Sequence, residues 1–261
     1  MTRSILLTAF AIVIFTSCEK VIEIDLNEAD RKLVVEAFVS NDSTFNYTKI
    51  TKTGSFYQTD AFETVKGAKV TLSDEFGNSY STTEKESGYY YYNNFTANSN
   101  TKYTLFIEAE NEKISAETYL PELTKIDSLG FEFREATGFY EAGYSVSAYF
   151  TDNGNVKNYY RFKVYKSDSL FDNLFYLDDQ FYNGISGRAN VWQLSFQKND
   201  TVNIDMISID QYTYNYLAGL EQIIDGGGQS AAPGNPQSNI KGNAIGIFSG
   251  YNLDKQTIII K

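Results

Sequence analysis

Two residue types that carry much of enzyme chemistry are almost missing from this sequence. Its 261 residues include no histidine and one cysteine, Cys18. A Ser-His-Asp triad, a Cys-His pair and an imidazole-based zinc site all need a histidine, so the composition excludes these three kinds of site. We therefore expect no resident metal, no cofactor and no enzymatic activity.

Paired carboxylates are the catalytic chemistry that remains available. Asp178 with Asp179, or Asp205 with Asp210, are the pairs that a carboxylate-dependent glycosidase could use. That mechanism depends on the distance between two carboxyl groups, which spacing along the chain does not give. Adjacent acidic residues are more often solvated loop residues, so a glycosidase is the least favoured hypothesis.

The single cysteine lies at the end of an apolar segment beside the N-terminus. Arg3 is followed by a run that includes ILLTAFAIVIF, and the small residues Thr16 and Ser17 come directly before Cys18. A basic start, an apolar core that is short for a membrane span and small residues before a cysteine resemble a bacterial lipoprotein signal. We predict a signal peptide over residues 1–17 and lipidation of Cys18.

Lipidation would hold the protein at a membrane through its N-terminus. Each buried methylene contributes about 0.8 kcal/mol, so two or three acyl chains anchor a protein durably. Residues 18–31 are then a lipidated tether. The net charge of -11 at pH 7 disfavours binding to phosphate backbones, and no nucleic-acid partner is expected.

The rest of the chain has the composition of an all-β protein. Aromatic residues make up 16% of it, nearly all Tyr and Phe, and short runs rich in Thr, Val and Ile are separated by Gly, Asn and Asp. Such runs predict strands. Seven of them lie within residues 32–121, and their regular spacing favours an immunoglobulin-like or transthyretin-like β-sandwich there.

A second, antiparallel β domain is predicted over residues 122–261, either a sandwich or an open barrel. One helix interrupts its strands. Ser208 and Gln211 have capping-box spacing, and Gly226 ends the apolar periodicity, so we predict a helix at about 209–224 that either packs over a sheet or plugs one end of an open barrel. The predicted strands are 126–135, 143–152, 158–168, 190–197, 201–209, 244–251 and 256–261.

Two segments are candidates for contact with a ligand or partner. Alternate tyrosines of GYYYYNN face opposite sides of a strand, so one pair belongs to the core and the other is exposed. We choose Tyr90 and Tyr92 as contacts, with ordinary aromatic packing as the alternative. Long loops often carry function, and the connection 226–242 is the second segment. Its candidates are Asn235, Pro236, Asn239 and Lys241.

Several separated blocks of the sequence resemble one protein family in order and spacing. They are CEKVIEIDL, KLVVEAFVS, VKGAKVTLSDEFGNSYS, KYTLFIEAENEKISAETYLPELTKIDSLGFEF and NPQSNIKGNAIGIFSGY. On these blocks the chain is identified as a member of the Bacteroidota outer-membrane lipoproteins catalogued as domain of unknown function four-two-four-nine, from Cys18 to Lys261. The resemblance implies an exported lipoprotein, often encoded beside a TonB-dependent receptor, with no established catalytic residues.

The resemblance and the predicted anchor lead to two functional hypotheses. In the first, the protein is a lipid-anchored outer-membrane lipoprotein that faces the cell surface. It then acts as an accessory ligand-binding or capping module of a TonB-dependent nutrient transporter, with that receptor as its partner and a small-molecule ligand of unknown identity. In the second, it is a non-catalytic structural or adhesion protein of the cell envelope.

Overall fold

The structure, a computed structural model, describes residues 30–54, 60–138, 141–171, 173–191, 194–225 and 235–261. Cys18, the predicted signal peptide and nearly all of the predicted tether lie outside the described residues, as do residues 226–234 of the long connection. The chain divides into two compact units, Met1–Asp30 and Arg31–Lys261. All described strands and the described helix belong to the second unit.

The described residues contain 16 strands, one α-helix and two short 3-10 helices. The strands are β1 (Leu33–Ser40), β2 (Tyr47–Lys52), β3 (Lys69–Asp74), β4 (Ser79–Glu86), β5 (Tyr89–Tyr92), β6 (Thr101–Ala109), β7 (Glu112–Leu120), β8 (Ile126–Arg134), β9 (Gly143–Thr151), β10 (Tyr159–Lys166), β11 (Ser169–Leu170), β12 (Phe175–Asp178), β13 (Ser186–Asn190), β14 (Thr201–Ile209), β15 (Ile240–Lys241) and β16 (Ala244–Ile259). The helix α1 is Gln211–Asp225, and the 3-10 helices are Ser43–Phe45 and Asp179–Phe181.

Most strands belong to one 13-stranded mixed sheet. Its order is β11-β10-β14-β16-β1-β2-β5-β4-β3-β6-β7-β15, and β12 also pairs with β10. Strands β1 and β16 run parallel, whereas their outer neighbours β2 and β14 are antiparallel to them. Strands β8, β9 and β13 form a separate antiparallel sheet of three strands. The prediction of an all-β protein with one packed helix is confirmed.

Two large hydrophobic cores lie between layers of these sheets, and a third, small core of Ile207, Ile209 and Leu217 lies between the large sheet and α1. In the first, side chains of β1 and β2 such as Val35 and Ile50 are buried with Leu72 of β3 and Leu105 of β6. In the second, alternate residues of β10 and β14 are buried with residues of the three-stranded sheet. Each of the two large cores is therefore filled by inward-facing positions of opposed strands, as in a sandwich.

The final strand contributes to both cores. Phe248 of β16 is buried in the first core, and Ile260, directly after β16, is buried in the second. Apart from Phe248, the buried members of the first core end at Leu120, and the second core begins at Ile126. The two domain ranges 32–121 and 122–261 stay predictions, and β16 links the regions that they delimit.

Two predicted strand assignments in the C-terminal region are wrong. Residues 244–251 and 256–261 are predicted as two strands, but β16 runs without interruption through 16 residues. Pairing with β14, for example Leu253 with Ile207, overrides the turn-like composition of the intervening residues. The predicted strand 190–197 is replaced by β13, which ends at Asn190, and by an isolated bridge between Phe196 and Tyr144.

Helix α1 lies within about two residues of its predicted bounds. In the part of the chain that the structure describes, no helix combines the length and the apolar character needed to cross a membrane.

Candidate functional site

The tyrosines chosen from the sequence are the core pair of strand β5. Tyr90 is 2% exposed and Tyr92 is 8% exposed. The Tyr90 hydroxyl donates to the carbonyl of Val65 at 2.7 Å, and the Tyr92 hydroxyl lies 2.9 Å from Thr48 Oγ1. These hydroxyls serve the fold, so the choice of pair has to be reversed. The partly exposed tyrosines of this strand are Tyr89 and Tyr91.

The buried hydroxyl of Tyr92 provides a test of this assignment. Tyr92→Phe leaves Thr48 without its partner, and we expect the free energy of unfolding to fall by about 1 kcal/mol. Tyr91→Phe is the matched control on the opposite face, with an expected change below about 0.5 kcal/mol. Urea unfolding of both variants measures the difference, and equal effects would contradict the assigned orientation of β5.

The candidates from the long connection do not gather at one point. Asn239 joins β7 to β16: its amide nitrogen donates to the carbonyls of Glu117 at 2.8 Å and Phe248 at 2.7 Å. Asn235 and Lys241 are exposed, and Pro236 is partly buried close to Gly219 of α1. Asn239 therefore has a structural role, and none of the four residues lines the cavity that the structure reveals.

A cavity of about 390 Å³ lies between α1 and one face of the large sheet. This volume is in the range that suits a small molecule. The floor comes from β1, β2, β10, β14 and β16, and α1 and the 3-10 helix at Ser43–Phe45 contribute walls. The lining residues are Glu36, Phe38, Phe45, Tyr47, Arg161, Lys163, Ile207, Ile209, Thr213, Tyr216, Leu217, Leu220, Ile247, Ser249 and Tyr251.

Alternation along β10 turns two basic side chains towards this cavity. Tyr160, Phe162 and Val164 are buried in the second core. Because successive side chains of a strand point to opposite faces, Arg161 and Lys163 lie on the other face, where α1 packs. Both are partly buried and both line the cavity.

Helix α1 is held in place by a buried N-terminal cap. Asp210 Oδ1 accepts from the backbone N–H of Thr213 at 2.8 Å and from its hydroxyl at 2.6 Å. Asp210 Oδ2 accepts from Thr118 Oγ1 at 2.7 Å and from Tyr119 N at 3.2 Å. Burial raises the pKa of the Asp210 carboxyl. The cap is thus Asp210 rather than the predicted Ser208, and it fixes a wall of the cavity to β7.

Aromatic side chains form a connected surface from the cavity outwards. The ring of Phe38 lies 5.6 Å from that of Tyr47 and 6.3 Å from that of Tyr251, measured between centroids. Tyr47 in turn lies 5.6 Å from Tyr89 and 5.7 Å from Tyr91. Burial raises the pKa of the Tyr47 and Tyr251 hydroxyls, so at neutral pH they are uncharged. Such a surface suits a planar or ring-shaped body.

The charges that face the cavity do not cancel. Glu36 is paired with Lys49 at 2.9 Å. Arg161 and Lys163, by contrast, form neither an ion pair nor a side-chain hydrogen bond with any residue that the structure describes. Asp205 is the register partner of Lys163 across the strands and attracts it, and the Asp205 carboxylate also accepts from Tyr165 Oη at 3.3 Å. Burial lowers the pKa of both basic groups.

The four candidate carboxylates for glycoside hydrolysis each have contacts that stabilise the fold. Lys157 Nζ lies 3.0 Å from Asp178 Oδ2 and also contacts Asp179. Asp210 caps α1, and Asp205 is bonded to Tyr165 as described above. Within the described ranges, no three acidic, histidine or cysteine side chains are grouped so that they could hold a metal ion.

Comparison with known protein families gives a match over most of the chain. The family described as domain of unknown function (DUF4249) matches residues 19–257. No curated protein and no solved structure matches the chain.

Proposed function

The chain belongs to the DUF4249 family, and from this premise we propose that it is a lipid-anchored outer-membrane lipoprotein that binds a small molecule as an accessory module of a TonB-dependent nutrient transporter. The observation that carries the binding role is the cavity of about 390 Å³ between α1 and the sheet. Mixed aromatic, aliphatic and charged lining of this kind is typical of a small-molecule site.

The anchoring half of the proposal is supported by the sequence around Cys18. An apolar segment of signal-peptide length precedes Thr16, Ser17 and Cys18, and the polar residues Glu19 and Lys20 follow at once. Acylation of this cysteine would supply enough buried methylenes for lasting attachment to a membrane. It would also leave the binding unit close to a transporter in the same membrane.

Replacing Cys18 by serine tests the anchor. We expect Cys18→Ser to move the protein from the outer-membrane fraction into the soluble fraction or to leave its leader uncleaved, because serine cannot form the thioether. Ser17→Ala is the control, since it keeps a small residue before the cysteine. Mass spectrometry of the N-terminal peptide reads out the lipid. An unmodified Cys18 in the natural protein would overturn the anchoring proposal.

The transporter association is tested with the lipoprotein expressed in its own cells. After crosslinking and extraction in mild detergent, we expect an affinity tag at the C-terminus to recover a TonB-dependent barrel. A cytoplasmic-membrane lipoprotein with the same tag controls for adventitious recovery. Purification without any such barrel would contradict the accessory role and would favour the structural or adhesion alternative.

A further inference from the structure

The geometry points to a specific ligand chemistry: the cavity takes a small organic carboxylate, with its acid group between Arg161 and Lys163 and its apolar ring or chain on the aromatic surface of Phe38, Tyr47 and Tyr251. This inference deepens the proposed binding role and rests on it. It does not depend on the membrane anchor or on the transporter.

The two basic groups are placed to act on one anion. Residues two apart on a strand are about 7 Å apart along the backbone, and both Arg161 and Lys163 have side chains long enough to converge on a group between them. The planar guanidinium of arginine matches a carboxylate through two parallel hydrogen bonds. Lysine adds a point charge with donors that can rotate towards the same oxygens.

The energetics of the ligand-free cavity also favour an anion. A cation taken out of water loses hydration and regains it only through a partner of opposite charge or through hydrogen bonds. The one acidic side chain in the lining, Glu36, is already paired with Lys49 at 2.9 Å. An incoming carboxylate would therefore supply the partner that Arg161 lacks among the described residues.

The remaining lining selects the body of the ligand. Tyr216 and Leu220 of α1 are partly exposed and give apolar surface beside the aromatic rings, above a small buried core of Ile207, Ile209 and Leu217. Free inorganic phosphate or sulfate would leave this surface without a partner, and a neutral ring compound would leave the two cations without one. A cationic ligand would be repelled by them. An organic carboxylate satisfies both parts of the cavity.

A matched set of probes separates these alternatives. 2-Naphthoate carries a carboxylate, 2-naphthamide has the same ring and no charge, and inorganic sulfate has charge and no ring. With the full-length protein in detergent, isothermal titration is expected to give a Kd for naphthoate at least tenfold below that for the amide, and sulfate is expected not to displace naphthoate. Equal binding of acid and amide, effective displacement by sulfate, or no binding of naphthoate would overturn the inference.

Variants of the two basic residues assign the binding to this cavity. We expect Arg161→Met and Lys163→Met each to weaken naphthoate binding at least tenfold and to bring the acid-to-amide ratio close to one. Lys69→Met removes the same charge from an exposed side chain on β3, outside the cavity, and should leave the Kd unchanged. Unchanged affinity in both cavity variants would place the ligand elsewhere and overturn the inference.

Thermal melting of the ligand-free variants shows whether a loss of binding results from a loss of folded structure. Arg161 lacks an anionic partner among the described residues, so Arg161→Met relieves a loss of hydration and should melt at the same temperature as the natural protein or higher. Lys163→Met gains the same relief but loses the attraction of Asp205, so its melting temperature should stay within about 3 °C of the natural value. Lower melting temperatures than these together with lost binding would mean that the two residues are structural, and the ligand assignment would fail.

The outcomes for the ligand and for the transporter are independent. Recovery of a transporter barrel without naphthoate binding would contradict this inference alone, whereas naphthoate binding without a barrel would contradict only the transporter role.

Discussion

Gly246→Ala is expected to lower the free energy of unfolding by about 4 kcal/mol, an unusually large effect for one methyl group. Gly246 has φ of +122°, which side chains with a Cβ atom rarely adopt. A Cβ atom at this position would also overlap the backbone carbonyl of Val35. The two residues are register partners in the parallel pair β1–β16, so the backbone has little freedom to move away.

Gly77→Ala is the matched control for this prediction. Gly77 also has positive φ, +88°, but a Cβ atom there would meet nothing within 4 Å. Its replacement therefore costs only backbone strain, about 1 kcal/mol. Urea unfolding of both variants isolates the contribution of the overlap. Similar losses in the two variants would show that β1 and β16 do not approach as closely as the structure indicates.

The same pair of strands supports the cavity. Glu36 and Phe38 of β1 and Ile247 and Ser249 of β16 all line it, and Gly246 lies next to Ile247. A displacement of β16 relative to β1 would therefore change the cavity floor. Loss of naphthoate binding is expected to accompany the loss of stability in Gly246→Ala.

Much of the strand content could be predicted from local alternation alone. Strand β14 has the predicted bounds Thr201–Ile209, and β9 begins at its predicted start, Gly143, and ends one residue before its predicted end. These segments carry β-branched or aromatic residues at alternate positions, and the buried face follows from that pattern. Local preference and tertiary pairing agree at these strands.

Long-range pairing could not be read from the sequence. Strands β1 and β16 are neighbours although nearly the whole folded chain separates them, and no local pattern indicates which distant strands will pair. The orientation of β5 has the same origin. Four consecutive tyrosines look identical from either face, and pairing of Tyr91 with Tyr47 decides which pair points away from the core.

The binding residues were missed because their sequence signal has another common meaning. In NYYRFKVYK, Arg161 and Lys163 occupy the polar positions of an alternating strand, which usually face solvent. Helix α1 covers this face of the sheet and makes the two positions part of a cavity. The predicted helix indicates that one face of a sheet is covered. Which strands lie beneath the helix depends on the topology of the sheet, which the sequence does not give.

Asp210→Ala is expected to lower the free energy of unfolding by about 3 kcal/mol and to abolish naphthoate binding. The substitution removes the helix cap and leaves the Thr118 hydroxyl and the Tyr119 N–H without their acceptor in a buried place. Asp178→Ala is the control, because Asp178 accepts from Gln180 N at 3.2 Å at the 3-10 helix Asp179–Phe181, which does not line the cavity. We expect the control to lose about 1 kcal/mol or less and to retain binding.

The dependence of this effect on pH follows from the burial of the carboxyl. Because burial raises the folded-state pKa of Asp210, folding favours the protonated form of this carboxyl. The stability that this preference contributes is fully present below the unfolded-state pKa of about 4, and it is lost as the pH rises through the folded-state pKa. The stability difference between the natural protein and Asp210→Ala should therefore be larger at acidic than at neutral pH. Urea midpoints of both proteins between pH 4 and pH 7 measure this trend. A difference that grows towards neutral pH would mean that hydrogen bonds to the ionised carboxylate outweigh its lost hydration, and the raised pKa would be wrong.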